Sequence, residues 1–187
     1  QPPEFNQPLD LALNEDALLK SIALSGISSG DGVQQPVRVT ATSSNPGLIP
    51  DPTVSYTNSS DTASLVVAPV ANQYGAATIT VTVEDGGLDN NLETASDNAI
   101  VSQTFEVTVT SVNDSGSFSG DTSVTGSEED STISGTLVFT DAIDGDSAPS
   151  YTITSESSNG TAFIDAVTGA WSYTPNVNFN GSDSFTV

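Results

Sequence analysis

Apolar and polar residues alternate with a period of two along most of this chain, as in "PVRVTATS" (36–43), "ASLVVAPV" (63–70), "ATITVTVED" (77–85) and "TFEVTVTSV" (104–112). Alternation of this kind turns one face of a strand toward a core and the other toward water, and β-branched residues suit such a pleated, half-buried surface. Each run is bounded by Gly, Asn, Asp or Pro, the residues of turns. The pattern predicts strands near 8–13, 19–25, 36–43, 53–57, 63–68, 77–84 and 102–112, a density of short strands that fits a β-sandwich. One segment, "NEDALLKSIAL" (14–24), also reads as a helical turn capped by Asn14.

The second half repeats the first. "PVANQYGAATITV" (69–81) aligns with "PNVNFNGSDSFTV" (175–187), matching Pro69 with Pro175, Asn72 with Asn178, Gly75 with Gly181 and Val81 with Val187 at one offset. "NED" (14–16) likewise pairs with "EED" (128–130). Two similar modules therefore follow one another, 1–113 and 114–187, joined by the short polar link "SVNDSGSFSG" (111–120). Module one goes on to a final strand at 102–112, whereas module two stops at Val187. The second module is thus expected to lack its last strand, either because that sequence was cut or disordered or because another chain supplies it. The chain, opening on Gln1 with no signal-like segment, reads as an excerpt of something longer.

Charge narrows the function. The chain holds 24 Asp and Glu against 2 Lys and Arg, a net charge of -22. Two cations cannot make the basic patch that nucleic acids or anionic membrane surfaces require. No apolar run approaches the ~18 residues of a spanning helix, so no membrane insertion is expected. Without Cys there are neither disulfides nor thiolate metal sites, and without His or Cys the usual nucleophilic constellations are excluded.

The carboxylates themselves gather in loops and at strand ends. They are Glu15 and Asp16; Asp85, Asp89, Asn91 and Asp97 in "EDGGLDNNLETASDN"; Asn113 and Asp114 in the link; and Asp141, Asp144 and Asp146 in "DAIDGD", with Glu128, Glu129 and Asp130 nearby in sequence. Carboxylates about 4 Å apart repel by roughly 1 kcal/mol in water and about 4 kcal/mol at an effective dielectric of 20. A hard cation relieves that, and Ca2+, which takes six to eight oxygen ligands, suits this donor set. Solvated turns whose Asp and Asn bond the local backbone are the alternative for each cluster. "DAIDGD" is no EF-hand loop, because the aspartate spacing is wrong and Thr152 stands where the bidentate Glu belongs.

Taken together, "NED", "TITVTVEDGG", "VTVTSVND" and "VFTDAIDGDSAPSYTIT" resemble the tandem cadherin-like and VCBS-like repeats of large, RTX-type bacterial surface adhesins. The resemblance spans essentially the whole chain. It implies an all-β protein of two tandem Greek-key, cadherin- or immunoglobulin-like β-sandwich modules, extracellular on the bacterial cell surface, with calcium between successive sandwiches stiffening a rod. By position, Glu15 matches the acidic residue at the base of the first strand, Asn113 and Asp114 the Asn-Asp of the linker, and Asp141 with Asp144 or Asp146 the acidic pair opening the next module. Departures reduce the ligand set. Ser111 replaces the first linker Asp, the Pro that follows the linker is missing, with Gly116 in the neighbourhood, and "ANQYG" (71–75) replaces an acidic segment, so the resemblance implies one or two ions where cadherins hold three.

The leading reading is a calcium-stabilised spacer of a large adhesin, whose partners are neighbouring repeats of the same chain and, beyond them, a cell-surface or matrix polysaccharide or a like protein. A second reading is a carbohydrate-binding module using Trp171, Tyr173, Tyr151 and Phe179 as a stacking platform, although "AWSYTP" puts Trp171 and Tyr173 on one face, where a sandwich with few aromatics buries them. A third is a filament subunit joined by strand exchange. An enzyme using a carboxylate pair on a glycoside is the weakest, because nothing marks a pocket.

Overall fold

The computed structural model describes residues 1–30, 32, 34–127, 132–141 and 148–187. Contacts divide the chain into two units, Gln1–Val112 and Asn113–Val187, one residue earlier than the sequence boundary. All secondary structure among the described residues is strand, bridge or turn.

The first unit has seven strands: β1 (Leu11–Asn14), β2 (Lys20–Ser25), β3 (Val37–Ser43), β4 (Thr53–Tyr56), β5 (Thr62–Val67), β6 (Gly75–Asp85) and β7 (Ile100–Thr110). They form two sheets, ordered β1-β7-β6-β3 and β2-β5-β4. The inward positions of the period-two pattern interdigitate between the sheets: Leu24, Leu65 and Val67 from one, and Ile79, Val81, Val83, Phe105, Val107 and Val109 from the other. Burying each such side chain contributes about 1.5–3 kcal/mol, which makes this core the reason the alternation specifies the fold. The arrangement is an immunoglobulin-like Greek-key sandwich.

One detail departs from the sequence expectation, while the strand expected near 19–25 is present in place of its helical alternative. Strand β1 is shorter than 8–13, because the N-terminal segment serves both sheets. Glu4 bridges Ser28, and Asn6 N–H donates to Ser25 O at 2.9 Å on the β2 side. After Pro8 the chain crosses over, and Asp10 Oδ1 accepts Glu106 N–H at 2.8 Å before β1 pairs with β7 in parallel. Residues 14–24 contain no helix. Ala17 N–H closes a turn on Asn14 O at 3.0 Å, and the chain enters β2, whose Leu24 is wanted in the core.

The second unit carries β8 (Ser117–Gly120), β9 (Ile133–Thr140), β10 (Gly160–Ile164) and β11 (Ala170–Pro175) in one antiparallel sheet ordered β10-β11-β9-β8. Trp171 and Tyr151 are its buried aromatics. Opposite the sheet, the isolated bridge between Ser155 and Thr186 is the strand pairing made by residues 176–187 among those described.

The internal repeat survives at the level of backbone geometry. Gln73 N–H donates to Val70 O at 3.2 Å, and Phe179 N–H donates to Asn176 O at 3.0 Å, the same turn at the same offset. Asn72 and Asn178 take φ of 59° and 63°, a left-handed conformation that Asn tolerates better than most residues. Gly75 and Gly181 follow with φ of 136° and 146°, which requires glycine.

Candidate functional site

In the first unit, the acidic groups fall into two sets. Glu15 lies just after β1 with 1% of its surface exposed. Its Oε1 accepts Val112 N–H at 2.7 Å, and its own N–H donates to Thr110 O at 3.0 Å, so both ends of the residue hold the exit of β7. Asp16 is exposed and lines a shallow depression of about 480 Å³ with Asn14, Ala17, Thr110 and Val112.

The second set occupies the 86–99 loop between β6 and β7, where side chains are engaged with the backbone. Asp85, 3% exposed, accepts Gly87 N–H at 3.1 Å and Ala99 N–H at 2.9 Å on Oδ1, while its own N–H donates to Ala99 O at 3.0 Å. Asp89 accepts Asn91 N–H at 3.0 Å and the Thr94 hydroxyl at 2.7 Å, Asn91 Oδ1 accepts Glu93 N–H at 3.1 Å, and Asp97 accepts Leu88 N–H at 2.8 Å. Each is an Asx-type closure of its own loop. Arg38 fastens the loop to the sheet, contacting Glu84 at 2.8 Å and Glu93 at 3.3 Å and donating to Leu92 O at 3.2 Å. Asn98 donates to the other Glu84 oxygen at 3.0 Å. That hydrogen bond first, and the Arg38 guanidinium with it, hold the Glu84 carboxyl below its ordinary range.

In the second unit, Asn113 is exposed, its Nδ2 donating to Asp114 O at 2.8 Å, and Asp114 is half-buried. Asp141, immediately after β9, is 5% exposed. Glu128, Glu129, Asp130, Asp144 and Asp146 lie outside the described residues. Among those described, no three Asp or Glu side chains converge to hold a metal ion.

A carboxylate that the sequence reading passed over gathers four hydrogen bonds in this unit. Asp183 accepts Ser158 N–H at 3.1 Å, Asn159 N–H at 2.6 Å, the Tyr173 hydroxyl at 2.9 Å and Ser184 N–H at 2.9 Å. Loss of hydration works against its charge, but these hydrogen bonds outweigh it and keep the carboxyl below its ordinary range. The repeat carried the signal, since Asp183 aligns with Ala77, an inward position of β6.

The aromatic residues do not form an open platform. Trp171 is 7% and Tyr151 6% exposed. Trp171 Nε1 donates to Asp121 O at 3.1 Å and its ring meets Phe185 edge-on at 5.6 Å, while the Tyr151 hydroxyl accepts Phe139 N–H at 3.0 Å.

Fold and site together define a non-identical pair of Ig-like sandwich units with acidic, backbone-anchored loops. The family model of the bacterial Ig domain matches residues 113–187, the whole of the second unit. No curated protein sequence matches the chain. Among solved structures, it is similar to domains 1–6 of the surface layer protein SbsC, with 16% identity over 94% of this chain and a TM-score of 0.40. It is also similar to titin domains z1z2 in complex with telethonin, with 13% identity over 96% of this chain, 83% of that chain and a TM-score of 0.36. An endo-fucoidan hydrolase of glycoside hydrolase family 107 gives 22% identity over 98% of this chain, 26% of that chain and a TM-score of 0.41. The chain spans 22% and 53% of the two SbsC structures first matched.

Proposed function

We propose that the chain is a calcium-stabilised extracellular spacer from a large bacterial surface adhesin, working with neighbouring repeats of the same polypeptide. One observation carries the calcium reading. Glu15 and Asp141 are buried carboxylates in a protein with two basic side chains, of which Arg38 is committed to Glu84 and Glu93 and Lys20 is exposed. Backbone hydrogen bonds offset part of the cost of burying a carboxylate, as Val112 N–H does for Glu15, and with so few basic side chains a cation from solution would supply the opposite charge. Calcium supplies it in the form that carboxylate, amide and carbonyl oxygens accept. Glu15 contributes further by holding Val112 N–H, at the last residue of the first unit. Glu15 and Asp16 in the first unit, and Asn113, Asp114 and Asp141 in the second, offer only oxygen donors, the chemistry this ion takes; the candidates Glu128, Asp144 and Asp146 lie outside the described residues. The bacterial Ig match to residues 113–187 supports the surface setting.

Thermal melts in EDTA, in millimolar calcium and in millimolar magnesium test the proposal. Sites with dissociation constants of about 0.1–1 mM, filled to 100 times that value, stabilise by about 2.7 kcal/mol each. The expected result is a calcium-specific rise in Tm that Glu15→Gln and Asp141→Asn each diminish. Superimposable melts in all three solutions would overturn it.

A further inference from the structure

The four-stranded sheet of the second unit has two unlike faces. Trp171 and Tyr173 lie on the inner one, where the Trp171 ring meets Phe185. Strand alternation puts Thr161 and Phe163 of β10, Ser172 and Thr174 of β11, and Ser134 and Thr136 of β9 on the other, away from the 182–187 segment. Phe163 stands beside Ser172, which stands beside Ser134; Thr161 stands beside Thr174, whose hydroxyl lies 3.2 Å from that of Thr132. In a chain of net charge -22, the described strand positions of this face carry no Asp, Glu, Lys or Arg. Asp165, next after β10, turns its carboxylate onto Val167 N–H at 3.0 Å and Thr168 N–H at 2.8 Å. Phe163 is 62% exposed, and nothing in the fold requires it. In the first unit β4 is likewise the edge strand of its sheet, and its outward positions hold Thr53 and Ser55. Among the described residues of the second unit, the ring-to-ring contacts join Phe118, Phe139, Tyr151, Trp171 and Phe185, and Phe163 takes part in none of them.

We propose that this face binds an uncharged polysaccharide, one sugar ring lying on Phe163 and its hydroxyls exchanging hydrogen bonds with Thr161, Ser172 and Thr174. A sugar ring has an apolar C–H face and a rim of hydroxyls. An exposed aromatic face covers the first, and Ser and Thr hydroxyls, which both donate and accept, meet the second in either sense. The sheet sets those hydroxyls about 4.8 Å apart across strands and about 6.7 Å apart along them, the scale of one sugar ring. Charge selects the occupant. An acidic glycan, or a second copy of this chain with its own acidic loops, is repelled by the net charge, whereas an uncharged polymer is not. The site is separate from the buried Trp171 and Tyr173, and it stands apart from the calcium reading, since no carboxylate enters it.

Native affinity electrophoresis of the whole chain tests this, with dextran, glycogen, galactomannan and xyloglucan as uncharged probes and hyaluronate as the acidic one, in EDTA and again in millimolar calcium. The expected result is retardation by at least one uncharged probe and none by hyaluronate, alike in both solutions. Phe163→Ala raises the half-retarding concentration at least about tenfold, because the ring supplies the apolar area that the sugar covers. Phe163→Tyr keeps the retardation, and Tyr74→Ala, which removes an aromatic 63% exposed in the first unit, leaves it unchanged. Trp171, the one tryptophan of the chain, reports by its fluorescence-detected Tm that Phe163→Ala is folded. No retardation by any of the four uncharged probes, equal retardation of Phe163→Ala and the parent chain, equal retardation by hyaluronate, or retardation in calcium alone would each overturn the proposal.

Discussion

Replacing Asp85 by alanine removes the acceptor that two backbone N–H groups share at the mouth of the 86–99 loop. The carboxylate is 3% exposed, and Gly87 N–H at 3.1 Å and Ala99 N–H at 2.9 Å both reach its Oδ1. Hydrogen bonds to a charged group contribute about 1.5–3 kcal/mol each, so the pair amounts to about 3–6 kcal/mol. Against a total of about 5–15 kcal/mol for a domain, that is a large fraction, and Tm of the first unit falls by more than about 10 °C. Asp85→Asn keeps an oxygen acceptor but loses the charge, and should cost about half as much. Two probes separate the units: circular dichroism sums both, whereas Trp171 fluorescence follows the second alone. The dichroism transition should therefore split or shift down in Asp85→Ala while the Trp171 transition stays in place, equally in EDTA and in calcium. A loss seen only in calcium would make Asp85 a metal ligand instead of a backbone clamp. An unchanged melt would refute the clamp altogether.

Two further outcomes follow from the other carboxylates. Because the folded-state pKa of Glu84 is depressed, its contribution is present above the unfolded value and is lost as pH falls, so Glu84→Gln should flatten the decline of first-unit stability from about pH 5 downward, measured by melts across that range. Asp183→Ala should lower the Trp171-detected Tm by several degrees and more than Tyr173→Phe, because it releases the 158–159 turn and Ser184 as well as the phenol; equal effects would show that the backbone contacts contribute little.

Much of the fold was legible because the sandwich is written in a period-two code. From Ala77 to Val83 every second residue is apolar and buried, and the strand it predicts is there. What eluded the sequence was pairing at a distance. The N-terminal segment divides its hydrogen bonds between Ser25 on β2 and Glu106 on β7, which no local pattern encodes. The same holds for Arg38, whose partners Glu84 and Glu93 are set by strand register. The acidic loop was ambiguous for a chemical reason: Asp85, Asp89 and Asp97 present the same oxygens whether they cap backbone N–H groups or bind a cation. Composition cannot separate the two, and the geometry places all three on N–H groups. Asp183 was readable in principle, as a charge standing where its repeat partner is a core alanine.

The parallel pairing of β1 with β7 has a mechanical consequence. Leu11 lies opposite Val107 and Asn14 opposite Thr110, so the first and last strands of this unit run the same way side by side. A pull that draws the chain before β1 and the chain after β7 in opposite directions slides one strand along the other. The rungs between them are then loaded together in shear, where an antiparallel terminal pair would be unzipped rung by rung. Resistance to such a pull is a matter of the unfolding rate and not of equilibrium stability. Glu15, whose carboxylate grips Val112 N–H just past the last rung, adds one more bond to the set that must break at once.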